Sequence, residues 1–359
     1  MLDDIYKNKK VLITGHTGFK GSWLTTWLLK LGAKVFGISK DIPTTPSMFE
    51  ILKLKKKIKH YRENICCLQT TRKIIMAVKP DFIFHLAAQP IVSVSYKEPI
   101  DTIMSNVVGT ANILESLKCL SNKCNVVIVT SDKCYENTGW DIGYRETDKL
   151  GGNDIYSSSK AAAELITKAY YRSFYDGNNC NIRLATARAG NVIGGGDWAQ
   201  NRIVSDCYRA WSIADLVAIR NPKAIRPWQH VLDPLFGYLL LGIALDRGNF
   251  LGEQFNFGPF GNQEHTVEQV VADLGVQWGF TSNENSYYLD TSTYFNESKI
   301  LKLNCDKALS CLNWRSLLSY DETIKFTNDW YLAFYKQSTD LASITLQQID
   351  HISHKQRKR

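Results

Sequence analysis

Tyr156 and Lys160 stand four residues apart in YSSSK, at the start of a stretch with helical periodicity. That spacing puts both side chains on one helix face, about one turn apart. A fixed ammonium beside a phenol favours the phenolate, so it lowers a tyrosine pKa from its usual value of about 10. Such a pair can exchange protons near neutral pH. Upstream, the apolar run NVVIV (125–129) ends in Thr130, Ser131, Asp132 and Lys133. Tyr-x-x-x-Lys alone is a loose pattern that an ordinary surface helix also satisfies. Its meaning depends on the elements that would hold it.

Those elements begin with KKVLITGHTGFKGSWLTTWLLKLGAKVFGIS. Val11–Thr14 read as a short buried strand. Gly15, Gly18 and Gly21 follow with the spacing G-x-x-G-x-x-G. Trp23, Leu24, Trp27, Leu28 and Leu31 then recur at helical spacing, and Ala33–Ile38 return as a second strand. This is a βαβ unit of the dinucleotide-binding kind, whose glycines let backbone approach a diphosphate at a helix N-terminus. An acidic residue normally ends the second strand and holds the adenosine ribose. Ser39 stands there, followed by Lys40, so this position does not select NAD over NADP. The segment 43–60 reads as a Pro-punctuated loop and a basic helix, and Asn64, Ile65 and Cys66 as a short third strand near the adenine. A helix is expected over 70–78. Phe82–His85 form a fourth strand, with Leu86, Ala87 and Ala88 small enough at its tip for a cofactor to lie close. His85 reads equally as a satisfied interior histidine. A helix over 106–117 and a fifth strand over 126–129 continue the alternation. The fold class is α/β, a doubly wound parallel sheet, with catalytic groups at the carboxyl ends of its strands.

The bulk properties narrow the classes. The chain has 359 residues, 44% hydrophobic and 22% charged, which suits an ordinary soluble globular protein. Its net charge of +8 comes largely from KLKKKIKHYR (53–62) and the terminal HKQRKR. The first reads as a solvated helix face and the second as a tail, without the aromatic interleaving of nucleic-acid binders, so no nucleic-acid partner is expected. The longest apolar run, Leu235–Leu245, is too short for a bilayer, and no signal peptide is read at the start. Nine scattered cysteines form no Cys-x-x-Cys pair, so reduced thiols, no metal site and a cytoplasmic location are expected.

GHTGFKG, HLAAQ, TSDKCYEN and YSSSK together resemble the extended short-chain dehydrogenase/reductases that act on nucleotide sugars. The resemblance runs from about residue 8 to 336. GHTGFKGSW (15–23), TSDKCYEN (130–137), the spaced LGG-D-YS-SK (150–160), GNVIGGGDW (190–198) and RPWQHVLDP (226–234) look like the 4,6-dehydratase branch that takes CDP-glucose. The resemblance implies a Rossmann-type domain over 1–185, with later segments returning to it, and a smaller α/β substrate lobe over 186–336; residues 337–359 lie outside it and read as a helix or a frayed tail. It implies NAD held by Gly15, Thr17, Gly18, Phe19, Gly21, Ser39, Asn64, Ile65, Leu86, Ala87, Ala88, Asn106, Tyr156 and Lys160. It implies CDP-glucose held by Gln89, Asn191, Arg202, Arg226 and His230, the arginines suiting phosphate oxygens. Trp228 and His230 either wall the nucleotide or pack the core. Residues 294–304 and CDKALSCLNW look like the closing helix.

The implied reaction is oxidation at C4, loss of water across C5 and C6, and reduction at C6, giving a precursor of the 3,6-dideoxyhexoses of O-antigens. Tyr156 and Ser131 serve the 4-hydroxyl, Lys160 the tyrosine and the nicotinamide ribose. Asp132 matches the acid at the C6 hydroxyl and must then carry a proton. Lys133, where the dTDP-glucose branch has a second acid, is the C5 base if neutral or the enolate's partner if charged. A nucleotide-sugar 4-epimerase would share Ser131, Tyr156 and Lys160 but has no use for an elimination acid, so Asp132 and Lys133 favour the dehydratase. The helices at 106–118 and 154–174 carry more apolar residues than one buried stripe needs, which predicts a homodimer. Sedimentation at micromolar concentration checks it, and a purely monomeric profile would remove the expectation.

Overall fold

The computed structural model describes residues 2–177, 180–260, 265–281, 286–290, 300–336 and 340–357. The chain opens with α1 (Leu2–Tyr6) and then alternates β1 (Lys10–Thr14), α2 (Phe19–Lys30), β2 (Lys34–Ser39), α3 (Met48–Ile51), β3 (Lys59–Arg62), α4 (Leu68–Val78) and β4 (Phe82–His85). Helices α5 (Val92–Lys97), α6 (Pro99–Ile103) and α7 (Gly109–Leu117) lead to β5 (Cys124–Val129), α8 (Ile155–Tyr170) and β6 (Ile182–Ala189). Beyond these come β7 (Val192–Ile193), α9 (Ile203–Trp211), β8 (Val217–Ile219), β9 (Ile225–Arg226), β10 (Gln229–His230), α10 (Leu232–Asp246) and β11 (Gln254–Phe257). The last part holds β12 (His265–Thr266), α11 (Val267–Trp278), β13 (Tyr287–Leu289), α12 (Asp306–Leu312), α13 (Tyr320–Tyr335) and α14 (Leu341–Arg357).

Seven strands form one parallel sheet in the order β11-β6-β5-β4-β1-β2-β3. The order reverses between β1 and β4, and a doubly wound sheet binds its ligands outside the strand carboxyl ends at such a switch point. Strand residues alternate between two cores. Val11, Ile13, Phe82, Phe84, Val127 and Val129 face one layer with Trp23, Trp27 and α10. Leu12, Ile83, Val126, Ile128 and Leu184 face the other, with Ile74, Ile75, Ile113 and Leu114. Burial on both faces explains why β4 and β5 are buried at every position and read as continuous apolar runs. The apolar run 235–245 lies in α10, which is apolar on all sides because it is enclosed. Among the described residues no helix is long and apolar enough to cross a membrane.

Two expectations change. The basic segment is not one helix: Lys53 takes a left-handed backbone (φ 52°) after α3, Leu54–Lys56 make a single 3-10 turn, and Lys59–Arg62 pair with β2 as the outermost strand. Charges on an edge strand discourage further pairing. Consequently β3 lies at 59–62, and Asn64–Cys66 form the turn after it, where Cys66 N donates to Asn64 Oδ1 (3.0 Å). Of the expected closing helix, 291–299 lie outside the described residues, 300–304 are not helical, and 306–312 are α12, with two further helices after it.

In the region expected as a tail, α14 docks on the body. Ile349 and Ile352 are fully buried in the same core as Trp23 and Trp27. Trp330 Nε1 donates to Thr345 Oγ1 (3.0 Å), and Lys30 pairs with Asp350 (2.9 Å). Replacing Ile349 with Ala should lower the unfolding free energy by about 2–4 kcal/mol. Urea denaturation checks this, and an unchanged midpoint would show that the helix adds nothing to the core.

Candidate active site

A cavity of about 1530 Å³ lies along the strand carboxyl ends. Single-ligand sites span about 300–1000 Å³, so it has room for two nucleotide-sized molecules. Gly15, Thr17, Gly18, Phe19, Gly21, Ser39, Asn64, Ile65, Leu86, Ala87 and Ala88 line one half. Ser131, Lys133, Tyr156, Lys160, Asn191, Arg202 and Arg226 line the other.

The first half fits a dinucleotide. Gly15 has φ 73°, and a Cβ there would come within 2.8 Å of the Ala87 backbone; one at Gly21 would come within 2.2 Å of the Gly15 carbonyl oxygen. The turn is therefore as tight as its residues allow. Gly18 begins α2 with no side-chain cap, which leaves first-turn N–H groups for an anion. At the ribose end, Ser39 Oγ lies 3.0 Å from His16 Nδ1, and His16 Nε2 meets His60 Nδ1 at 2.7 Å. Burial, with the neighbouring His60, pushes His16 down to about 3, so this chain is neutral.

The second half gathers the proton-active groups. Asp154 caps α8, accepting from Ser157 N (2.9 Å) and Ser157 Oγ (2.6 Å), and so fixes Tyr156 in the first turn. Ser131 caps the short turn Asp132–Cys134 and donates to Asp132 Oδ1 (2.9 Å). Asp132 is 1% exposed, and its Oδ2 finds no hydrogen-bond partner among the described residues. Lys133 Nζ lies 3.8 Å from Asp132 Oδ1 and is partly exposed. A buried carboxylate oxygen without a donor is costly, and it suits a place where a ligand hydroxyl arrives.

Beneath them, Glu164 on α8 accepts from Thr130 Oγ1 (2.5 Å), Thr186 Oγ1 (2.8 Å), Arg188 Nε (3.0 Å) and Arg188 Nη2 (2.9 Å). Burial would push the Glu164 carboxyl up; the Arg188 guanidinium and these hydrogen bonds overcome it and hold it below its usual range. Arg188 also donates to Tyr135 Oη (2.7 Å), which donates to Asn256 Oδ1 (2.7 Å).

Three residues expected to touch ligands are turned elsewhere. Gln89 folds onto its own loop, its amide donating to Ile91 O (3.0 Å) and Thr102 Oγ1 (2.9 Å). Asn106 bridges elements instead, donating to Ser159 Oγ (2.8 Å) on α8 and accepting from Gln89 N (2.8 Å). His230 is fully buried between Trp23 and Phe326, and burial pushes it down to about 3. A neutral ring enclosed by aromatics packs the core. His85 is likewise buried and pushed down to about 3, by burial and then by Lys160. Its nitrogens meet Thr14 Oγ1 (2.7 Å) and Thr110 Oγ1 (3.1 Å). Trp228 both lines the cavity and donates to His265 O (2.9 Å).

The electrostatics also differ from expectation. In the ligand-free site burial pushes Tyr156 up to about 12, partly offset by Ser131 and Arg202 and reinforced by Asp132. Burial lowers Lys160 to about 8. Desolvation of the phenolate therefore outweighs the Ser131 hydrogen bond and the Arg202 charge that favour it. Two residues were missed. Lys20 lies inside the glycine motif, which was read only for its glycines. Glu164 follows Lys160 by four residues, so a buried charge on the catalytic face was visible in the spacing. Alkaline difference spectra of the ligand-free protein against Tyr156→Phe should show no tyrosinate from this residue below about pH 10, given its pKa of about 12. A phenolate forming near neutral pH would contradict the burial argument.

The sequence profile of the family described as GDP-mannose 4,6 dehydratase matches residues 12–327. The chain is similar to the CDP-glucose 4,6-dehydratase of Salmonella typhimurium, 43% identical over 94% of both chains. It is 25% identical to the dTDP-glucose 4,6-dehydratase of Haemophilus influenzae, over 90% of this chain and 97% of that one. Its fold is that of the UDP-glucose 4-epimerase of Thermotoga maritima (TM-score 0.79, 21% identity, covering 92% of this chain and 100% of that one). It is also that of the dTDP-glucose 4,6-dehydratase of Bacillus anthracis (TM-score 0.75, 21% identity, covering 93% and 98%). With the sheet order, the glycine turn and the Ser131–Tyr156–Lys160 cluster, these likenesses show that the chain belongs to the nucleotide-sugar 4,6-dehydratase family of extended short-chain dehydrogenase/reductases, in its CDP-glucose branch.

Proposed function

We propose that the protein converts CDP-D-glucose to CDP-4-dehydro-6-deoxy-D-glucose by internal oxidation, loss of water and reduction. The observation that carries this reading is the unpartnered, buried Asp132 carboxylate oxygen between Ser131 and Lys133, which line the cavity together with Tyr156. An elimination needs such an acid, and an epimerisation at C4 does not. The nucleotide rests on the likeness to the Salmonella enzyme.

Gly15, Gly18 and Gly21 with the first-turn N–H groups of α2 would hold NAD, which would supply the hydride acceptor for C4 and the hydride donor for C6. Tyr156 takes the 4-hydroxyl proton, with Ser131 as its hydrogen-bond partner. That requires the phenol to come down from about 12, and positive charge brought into the site acts in the same direction as Arg202 already does. The C4 ketone then acidifies the C5 proton. Lys133 serves that step, as base when neutral or as the cation beside the enolate oxygen when charged. Asp132, in the position of the elimination acid, gives a proton to the departing C6 hydroxyl. Asn191, Arg202 and Arg226 hold the sugar nucleotide. We also propose a cytoplasmic homodimer, its contact built on the exposed Ile100, Ile103, Met104 and Leu165.

The test supplies NAD and, separately, CDP-, dTDP- and GDP-sugars. A product from CDP-glucose lighter by one water supports the reading. An isomer of unchanged mass would replace it with the epimerase. Lys133→Met should accumulate reduced nicotinamide absorbance while product formation falls at least about a hundredfold. Normal turnover by that variant would remove Lys133 from the reaction.

A further inference from the structure

Lys20, Lys133, Lys160 and Arg202 all border the same cavity. Two of them have a carboxylate partner: Arg202 Nη1 is 2.6 Å from Asp197 Oδ2, and Lys133 lies near Asp132. Lys160 serves Tyr156. Lys20 is left over. It is half-buried in the first turn of α2, and among the described residues its ammonium makes no hydrogen bond and no ion pair. The strongest charge acting on it is the guanidinium of Arg202, which begins α9 in the substrate lobe; Asp132, Lys160 and Lys133 follow. Two cations on facing elements of one cavity repel each other until an anion lies between them. Lys20 also sits between Phe19 and Gly21, in the turn that offers backbone N–H groups to a phosphate.

We propose that Lys20 and Arg202 clamp one diphosphate between the two halves of the cleft, which makes Lys20 a ligand-binding residue. The ligand class rests on the nucleotide-sugar reading above. The diphosphate comes from the dinucleotide or from the sugar nucleotide, and the chemistry is the same.

A linkage follows. In the ligand-free site burial and then Arg202 lower Lys20 to about 7; Asp132 opposes them, and Lys160 and Lys133 lower it further. A diphosphate beside it favours the ammonium and raises the pKa. Between the free and bound values, binding takes up a proton, so affinity falls as pH rises above about 7.

The test is calorimetric titration of the full chain with ADP, CDP, adenosine and cytidine, in buffers of different ionisation enthalpy. The proteins compared are the wild type, Lys20→Met and Lys20→Arg. Lys20→Met should bind at least one diphosphate about ten- to a hundredfold more weakly. It should take up fewer protons than the wild type, Lys160 with its own value of about 8 supplying the remainder, and bind the nucleosides as the wild type does. Lys20→Arg, whose charge is permanent, should keep the affinity with the same reduced uptake. Weakening confined to ADP assigns the clamp to the dinucleotide, and weakening confined to CDP assigns it to the sugar nucleotide. Unchanged affinity for both diphosphates in Lys20→Met, or an equal loss for the nucleosides, overturns the proposal. So does proton uptake in Lys20→Arg equal to that of the wild type, which decides the matter even if the methionine variant does not fold. Wild-type protein that bound neither diphosphate would instead remove the nucleotide-sugar reading itself.

Discussion

The buried pair of Glu164 and Arg188 is the constraint on which the active site depends. Each is 2% exposed, and together they engage the end of β5 through Thr130, strand β6 through Thr186, and β11 through Tyr135 and Asn256. Charges buried this deeply are tolerated only when every partner is in place; removing one leaves the other uncompensated at a cost of about 3–5 kcal/mol. The pair therefore holds α8 at one height and one rotation against the strand tips. Tyr156 and Lys160 lie eight and four residues before Glu164 on that helix, so their reach toward Ser131 is set from below. Asp154 sets it from above, by starting the helix one turn before the reacting groups are needed.

A second constraint is the supply of negative charge. Among the described residues along the cleft, nine lysines and arginines outnumber six carboxylates, as suits a site for two diphosphate esters. That excess by itself favours the phenolate, as Arg202 does. Burial, reinforced by Asp132, outweighs it and leaves the tyrosine on the protonated side.

How much of this was legible in the sequence depended on the range of the signal. The βαβ unit, β4, β5 and the start of α8 are local patterns: apolar runs, glycine spacing and a capping aspartate, each readable within about ten residues. The third strand was misplaced because its residues, KHYR, are charged and look like a solvated helix. Only pairing with β2, a contact between segments far apart in the chain, makes them a strand. Gln89, Asn106 and His230 were assigned to ligands because side-chain direction has no sequence signature. Asn106 bonds to Ser159, 53 residues away, and His230 is enclosed by Trp23 and Phe326 from distant helices. Lys20 was legible as a residue but not as a charge, since the glycines around it already explained the motif.

The docking of α14 on α2 has a bearing on how the molecule comes to exist. Trp23 and Trp27, on the helix that follows the glycine turn, share their core with Ile349 and Ile352. During vectorial synthesis the first βαβ unit leaves the ribosome more than three hundred residues before the segment that covers its outer layer. Phe236 of α10 stacks on Trp27 and His230 meets Trp23, so part of that layer can be covered about a hundred residues earlier. The glycine-turn half is thus begun first, and its outer layer is complete only when α14 docks.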